Sequence, residues 1–448
     1  MRQLNSTILK NGQQLPAGTV VHTDITPDLP TKEFGFISKV EENGRLITRF
    51  PDCSAKGIGA NIKVYCKDCT TFQGRIVLPS GASEENSEII DLQTGASDGP
   101  FEFGQLTVNG KKFINKETGL LWNSKQCSDF RLLQHYIVYG PSHVRQIISQ
   151  RQSLGFNESR VFGMLHNITR FYPSDYPDYY SKLGSFLDLA SDMHYRIQFV
   201  AFADVQAVMP DEIKQFIYYQ QICAVLKNRW NIRLELVNEA SQNGLDTNKF
   251  VKPTGILSSH GSQTSDQYPV TPLWDFADYH PSRSYDWPRK MHNAMEDVQD
   301  PSGVVTQSSE PMGAAEKAIG GRRDNNPKNF FDAGAVAALL TGGATGHSDQ
   351  GIQSELFTGK QYECMKAFVQ GMNAVSLEFY TGVYTAGHMA LPPCPIVHND
   401  EWSSRTYAKI IGNRALVVVS QRNERWQLIL KDGWKFVRQY ESVIELVR

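Results

Sequence analysis

The sequence is poor in the features that mark a specialised protein. Its 448 residues hold 45 Lys and Arg against 47 Asp and Glu, a formal charge of −2. Without a basic excess there is no electrostatic footprint for nucleic acid or for an anionic membrane. No stretch approaches the roughly 18 consecutive apolar residues of a membrane span. The opening Met1-Arg2-Gln3-Leu4-Asn5-Ser6 has no apolar h-region, so a signal peptide is not expected. That leaves a cytoplasmic protein, a phage-particle component or a trimmed secreted chain. The seven cysteines (Cys53, Cys66, Cys69, Cys127, Cys223, Cys364, Cys394) are odd in number and scattered, which excludes a disulfide framework. Cys66-Lys67-Asp68-Cys69 has the spacing of half a zinc site, with Cys53 nearby. The second half is missing, so no metal is expected; free thiols or one local disulfide fit better.

Several catalytic signatures are also absent. There is no phosphate-binding Gly-x-x-x-x-Gly-Lys, no Gly-x-Ser-x-Gly and no His-Glu-x-x-His. His194, His260, His280 and His347 lack the His-x-His pair of a metal-dependent barrel hydrolase. No cofactor is implied by any motif.

What is present falls into three textures. Residues 1–108 carry short strand-like runs at 18–22, 35–40, 61–65 and 74–78, each near turn residues, and predict a β-rich module. Residues 80–87 read as a loop. Residues 109–392 alternate apolar runs with helical periodicity, the pattern of βα units around a parallel sheet. Residues 393–448 return to strands, at 415–420, 426–430 and 443–447, and predict a small C-terminal β module. The two β modules are open to self-association or docking onto a larger particle.

A (β/α)₈ barrel takes roughly 250 residues, which the middle segment supplies. Its strands are predicted at 130–133, 159–165, 196–202, 232–237, 255–260, 273–278 and 303–307. The eighth falls at 374–379 or near 341–346. Helices are predicted at 141–154, 180–193, 211–230 and 333–340, the first of these opened by a proline and closed by Gly155.

Four features bear chemistry. Leu234-Glu235-Leu236-Val237-Asn238-Glu239 is a strand ending in Asn-Glu, and strand C-termini face the active site of such a barrel. A Glu there can protonate a glycosidic oxygen; taken alone, many loops begin so. Val304-Val305-Thr306-Gln307-Ser308-Ser309-Glu310 is a second strand ending in Glu, 71 residues later, room for about three βα units. Two such carboxylates can meet across the barrel mouth, the arrangement that glycoside cleavage uses; the bland alternative is two solvated loop glutamates. Tyr279-His280 lies between them, after the predicted sixth strand, and either side chain can hold a carboxylate. Arg160, on the predicted second strand, can pair with the nucleophile and keep it ionised. His166 and Asn167 follow that strand. Trp274 and Trp287 are candidate stacking platforms, each equally suited to the core.

Together these residues resemble glycoside hydrolase clan A, the retaining (β/α)₈ enzymes that include the family 5 cellulases and mannanases. In that clan a Gly-Phe-Asn-x-x-Arg stretch marks strand two, matched here by Gly155 to Arg160. An Asn-Glu ends strand four (Asn238-Glu239), a His or Tyr follows strand six (His280 or Tyr279), and a Glu ends strand seven (Glu310). The resemblance spans about residues 126 to 380. It implies a retaining glycosidase acting on β-linked oligo- or polysaccharide, with Glu239 as acid/base and Glu310 as nucleophile, and with no cofactor. Two departures stand out. Ala240 follows Asn-Glu where Pro is common, and no Trp marks the eighth strand. His347 and Asp349 occupy that neighbourhood and are candidate substrate contacts. The rival expectation is a barrel that binds glycan or builds an assembly without turnover.

Overall fold

The computed structural model describes the chain except residues 1, 18, 28–33, 42–43, 51–58, 67–68, 70–71, 78–86, 94–103, 117–118, 283–286, 311–312, 315–323, 387–395, 398–404, 421–428 and 431–432. Cys53, Cys394, most of the predicted loop at 80–87 and the start of the strand predicted at 426–430 lie outside the described residues. The chain forms two compact units, the first built chiefly from residues 1–106.

The first unit is made of two four-stranded sheets. In one, Val20–Pro27 lies between Phe34–Lys39 and Gly59–Cys66, and Phe72–Val77 extends the antiparallel order. In the other, Arg2–Lys10 pairs with Gln13–Gln14 and Arg45–Phe50 antiparallel and with Ser87–Leu92 parallel. Period-2 alternation builds the core. Ala60, Ile62 and Val64 are buried while Asn61 and Lys63 are exposed. Ile8, Leu46 and Ile90 of one sheet share a single apolar cluster with Val21, Ile25 and Ile62 of the other, the interior of a β-sandwich.

The second unit holds the barrel. Its strands are β1 (Ser124–Ser128), β2 (Glu158–Phe162), β3 (Arg196–Phe202), β4 (Ile232–Val237), β5 (Leu257–Ser259), β6 (Phe276–Tyr279), β7 (Val305–Ser308) and β8 (Gly343–Ser348). All the ladders are parallel, and β8 returns to β1. Between β5 and β6 the barrel is stitched by Asp275: its backbone N–H donates to the Ser258 carbonyl at 2.9 Å, and its carboxylate accepts from the Ser258 N–H at 3.0 Å.

Among the described residues, the α-helices of eight or more residues are α1 (Leu132–Tyr139), α2 (Pro141–Leu154), α3 (Tyr179–Asp192), α4 (Glu212–Leu226), α5 (Trp287–Ala294), α6 (Pro327–Leu340) and α7 (Gly359–Ala374). Pro141 opens α2 and Gly155, at φ +93°, closes it. Helices α6 and α7 cross backbone to backbone. A Cβ at Gly334 would meet the Phe368 carbonyl oxygen at 2.0 Å, and one at Gly371 would meet that of Phe331 at 2.0 Å.

Strands β3 and β4 lie where the sequence predicts them. Three other predictions are corrected. The first strand is Ser124–Ser128, not 130–133. Its inward side chains Ser124, Gln126 and Ser128 are polar, so it carries no apolar run, whereas Leu132 and Leu133 begin α1. The eighth strand is the alternative near residue 343; residues 374–379 finish α7 and enter a 3₁₀ turn at Leu377–Thr381. The sixth strand begins at Phe276, with 273–275 leading into it.

Those polar positions belong to a general feature. Barrel interiors are commonly filled by layers of Val, Ile and Leu; this one is filled by a polar network. Near the N-terminal ends of the strands, Arg233 donates from Nε to Glu158 Oε1 at 2.9 Å, from Nη2 to Glu158 Oε2, and from Nη1 to Gln307 at 2.7 Å. Above it Gln126, Gln198, Gln307 and Asp278 are joined by bonds of 2.5–3.1 Å. Phe113, preceding the barrel, seals this end by packing edge-on to Phe276 at 5.4 Å, with the Arg233 guanidinium over its ring at 4.8 Å. Buried ion pairs add little net stability but are costly to break singly.

The C-terminal sheet is antiparallel, in the order Val383–Ala386, Thr406–Ile411, Arg414–Val419, Val443–Val447, Lys435–Tyr440. Leu416 and Val418 join the apolar cluster of α6 and α7, while Ala415, Val417 and Val419 pack with Ile444 and Trp434 on the opposite face.

Candidate active site

Strand alternation sends Arg160, Arg233 and Glu235 inward and their neighbours outward against the helices. At the mouth, β4 ends in Asn238-Glu239, and Glu239 adopts a left-handed conformation, φ 45° and ψ 63°. A non-glycine residue there is costly and needs external support. Ser262 Oγ accepts from the Glu239 N–H at 3.1 Å, and the Asn243 amide donates to the Asn238 carbonyl at 2.6 Å. Gly261, at φ +124°, lets the chain after β5 come close enough to do this: a Cβ would stand 2.5 Å from the Val237 carbonyl oxygen.

Glu310 follows β7 by two residues. One carboxylate oxygen each from Glu239 and Glu310 and one ring nitrogen of His280 lie within 4.8 Å of one another. His280 Nδ1 is 3.8 Å from Glu239 Oε1. Arg160 sits beneath them, fully buried. It donates from Nε and Nη2 to the two oxygens of Glu235, both at 2.8 Å, from Nη2 to Asn238 Oδ1 at 2.8 Å, and from Nη1 to Glu310 Oε1 at 3.3 Å. Asn238 in turn reaches Glu239 Oε2 at 3.5 Å. One guanidinium thus touches Glu310 directly and Glu239 through Asn238.

Burial by itself would weaken the hold of Arg160 on its proton; Glu235 foremost, then Glu310 and Asp278, reverse this and keep it firmly protonated. Burial raises the Glu235 carboxyl above its ordinary range; Arg160 opposes that shift and Asp278 adds to it.

A cleft of about 410 Å³ opens above the pair, within the range of small-molecule sites. Phe130 and Phe162, stacked at 4.2 Å, together with Leu165, Ile168 and Ile352 supply apolar wall. Asn167, Asp204, Gln242, Asn243, Ser265 and His347 supply polar groups. Asp204 shapes the rim: it accepts from the backbone N–H groups of His166 and Asn167 at 2.8 and 3.1 Å.

Of the residues singled out in the sequence, Arg160, Asn167, Asn238, Glu239, His280, Glu310 and His347 meet here. Tyr279 does not. It is buried among Ala277, Ala294 and Val298, where burial pushes its hydroxyl up to about 12. His280, the next residue, has the opposite strand parity and faces the cleft. His166 stands exposed outside the cleft lining, its Nδ1 2.5 Å from the Tyr172 hydroxyl. Trp274 stacks on His260 at 4.5 Å, away from the cleft. Trp287 is 1% exposed in the apolar cluster around α5 and α6, so its ring has no free face for a sugar.

Sequence reasoning missed Glu235, Ser262, Asp204 and Gln242. The alternation that sends Arg233 inward would have flagged Glu235. The loop residues leave no local pattern.

No protein-family model matches the chain, and no curated protein matches it in sequence. Among solved structures it is similar to a candidate glycoside hydrolase from Bacteroides vulgatus ATCC 8482, with TM-score 0.56 and 11% identity over 100% of this chain and 95% of that one. A β-1,4-D-mannanase from Cryptopygus antarcticus matches at TM-score 0.42 and 13% identity over 59% of this chain and 94% of that one. A family 5 mannosidase from Rhizomucor miehei matches at TM-score 0.40 and 12% identity over 60% and 98%. The first likeness bears on the fold alone, a (β/α)₈ barrel with added β modules.

Proposed function

We propose that this (β/α)₈-barrel protein is a retaining glycosidase cleaving β-linked oligo- or polysaccharide, with Glu310 as nucleophile and Glu239 as acid/base. The observation that carries this reading is that one carboxylate oxygen of Glu239 and one of Glu310 lie within 4.8 Å of each other at the floor of the cleft. Retaining pairs stand about 5–5.5 Å apart, whereas inverting pairs need roughly 6.5–9.5 Å to admit a water. The Arg160 contact favours Glu310 as the ionised partner.

In the first step Glu310 attacks the anomeric carbon, the glycosidic C–O bond breaks, and Glu239 gives its proton to the leaving oxygen. In the second, Glu239 takes a proton from water, the water oxygen attacks the same carbon, and Glu310 leaves as carboxylate. Two inversions retain configuration. His280 and Asn238 sit where they can steer hydrogen bonding around the pair. The apolar wall suits the C–H face of a sugar, and the amides and Asp204 suit its hydroxyls.

The test is reducing-sugar release from a panel of β-linked glycans, comparing the parent with Glu239→Gln and Glu310→Gln. Release by the parent, lost in both folded variants, supports the reading. Glycan binding by the parent with no release on any member would replace it with the non-catalytic alternative.

A further inference from the structure

The barrel interior holds more carboxylates than cations. Below the Glu239–Glu310 pair lie Glu158, Glu235 and Asp278, all fully buried, facing Arg233 and Arg160. Arg233 is committed to Glu158 through two bonds. Asp278 is served by neutral donors: Gln198 at 3.1 Å, Gln307 at 2.6 Å and the Ser309 hydroxyl. Arg160 is therefore the cation for which Glu235 and Glu310 compete. The division is unequal, with two contacts of 2.8 Å to Glu235 and one of 3.3 Å to Glu310.

Resting on the reading of Glu310 as nucleophile, we propose that Glu235 is a positioning residue that withholds part of the Arg160 charge from Glu310 and so keeps Glu310 reactive. Glu235 does not line the cleft, so it acts through Arg160 and not on substrate. A carboxylate gripped by an undivided guanidinium is well stabilised and correspondingly slow to give its electron pair to carbon. One that shares the guanidinium stays ionised but less stabilised. Two further donors fix the sharing: Ser262 Oγ to Glu235 Oε1 and Gln198 Nε2 to Glu235 Oε2, both at 3.0 Å. The groups facing Glu235 are thus Arg160 from β2, Gln198 from β3, Ser262 after β5, and Asp278 and His280 at the end of β6.

The test is Glu235→Gln, which keeps shape and removes the charge. Glu310 is followed by carboxylate ¹³C NMR in the full-length protein, a readout that needs no turnover. Glu310 should titrate about one pH unit lower than in the parent, a tenfold change in proton affinity. Where turnover is measured, the acid limb of kcat should move the same way. The kcat of the glycosylation step should fall roughly tenfold at unchanged KM. A Glu310 titration within about 0.3 unit of the parent overturns the proposal. Should Glu235→Gln not fold, Ser262→Ala carries the test with opposite sign. Glu235 then leans harder on Arg160, Glu310 titrates higher, and an unchanged titration again overturns the proposal. A shifted titration in a protein that cleaves no glycan would uphold the charge division and sink the glycosidase reading; cleavage with an unshifted titration would do the reverse.

Discussion

Arg160 Nη1 lies 3.3 Å from Glu310 Oε1, joining a strand-two cation to a strand-seven carboxylate. The same guanidinium is bidentate to Glu235, so its removal strands a buried anion as well as freeing Glu310. Arg160→Met is expected to cost about 3–5 kcal/mol of stability, the loss seen when one partner of a buried pair is deleted. Denaturant unfolding of the variant against the parent reads this directly. A loss under about 1 kcal/mol, the scale of a surface pair, would contradict this expectation.

The two glutamates should be separable by chemistry. Under the proposed assignment Glu239→Ala removes the proton donor, so hydrolysis of natural glycosides should fall by about 10²–10⁴-fold. Aryl glycosides with leaving groups that need no protonation should still form the glycosyl-enzyme, and added azide should then accelerate turnover and yield a glycosyl azide of retained configuration. Glu310→Ala should give no such product by this route. Azide rescue with retention in the Glu310 variant instead would reverse the assignment. Product anomers followed by ¹H NMR decide the stereochemistry.

His135 offers a pH test outside the cleft. It is buried on α1, and its Nδ1 is 3.2 Å from His143 Nε2. Burial first, then Arg131 and His143, lowers its protonation to about 4. As pH falls from 6.5 towards 4, the unfolded chain takes up a proton that the folded ring refuses, so stability falls across that window. His135→Gln should therefore lose less stability than the parent between pH 7 and pH 4.5 in chemical denaturation. Parallel pH profiles for the two proteins would contradict the assignment.

Trp287 should behave as core. Its indole is buried with Met291, Phe330 and Phe331, on the helices outside the barrel. Trp287→Ala is expected to cost about 3–5 kcal/mol through the lost contacts and the cavity left behind. Glycan affinity of the folded fraction, measured by calorimetry, should not change. Weakened affinity at full stability would place the ring in the cleft after all.

Much of the barrel was legible because many of its strands and helices announce themselves within a few residues. Strands β3 and β4 combine β-branched and aromatic residues with a bounded length, and α2 is framed by Pro141 and Gly155. Strand β1 was not legible, because Ser124, Gln126 and Ser128 face a polar interior and leave no apolar run. The eighth strand was ambiguous for a similar reason: Gly343 to Ser348 is built from small and polar residues.

The sequence by itself determined which residues stand at strand ends: Asn238 and Glu239 at β4, the pair Tyr279-His280 at β6, Glu310 shortly after β7. Strand parity and chain order are local properties, and local pattern carries them. Closure of the barrel decided what these residues meet. It brings Arg160 within reach of Glu235 and Glu310, 75 and 150 positions away. It also divides one guanidinium between them, and helix packing outside the barrel buries Trp287. Such choices depend on distances across the sheet and on helix packing, which residues far apart in the chain set together and no short stretch encodes.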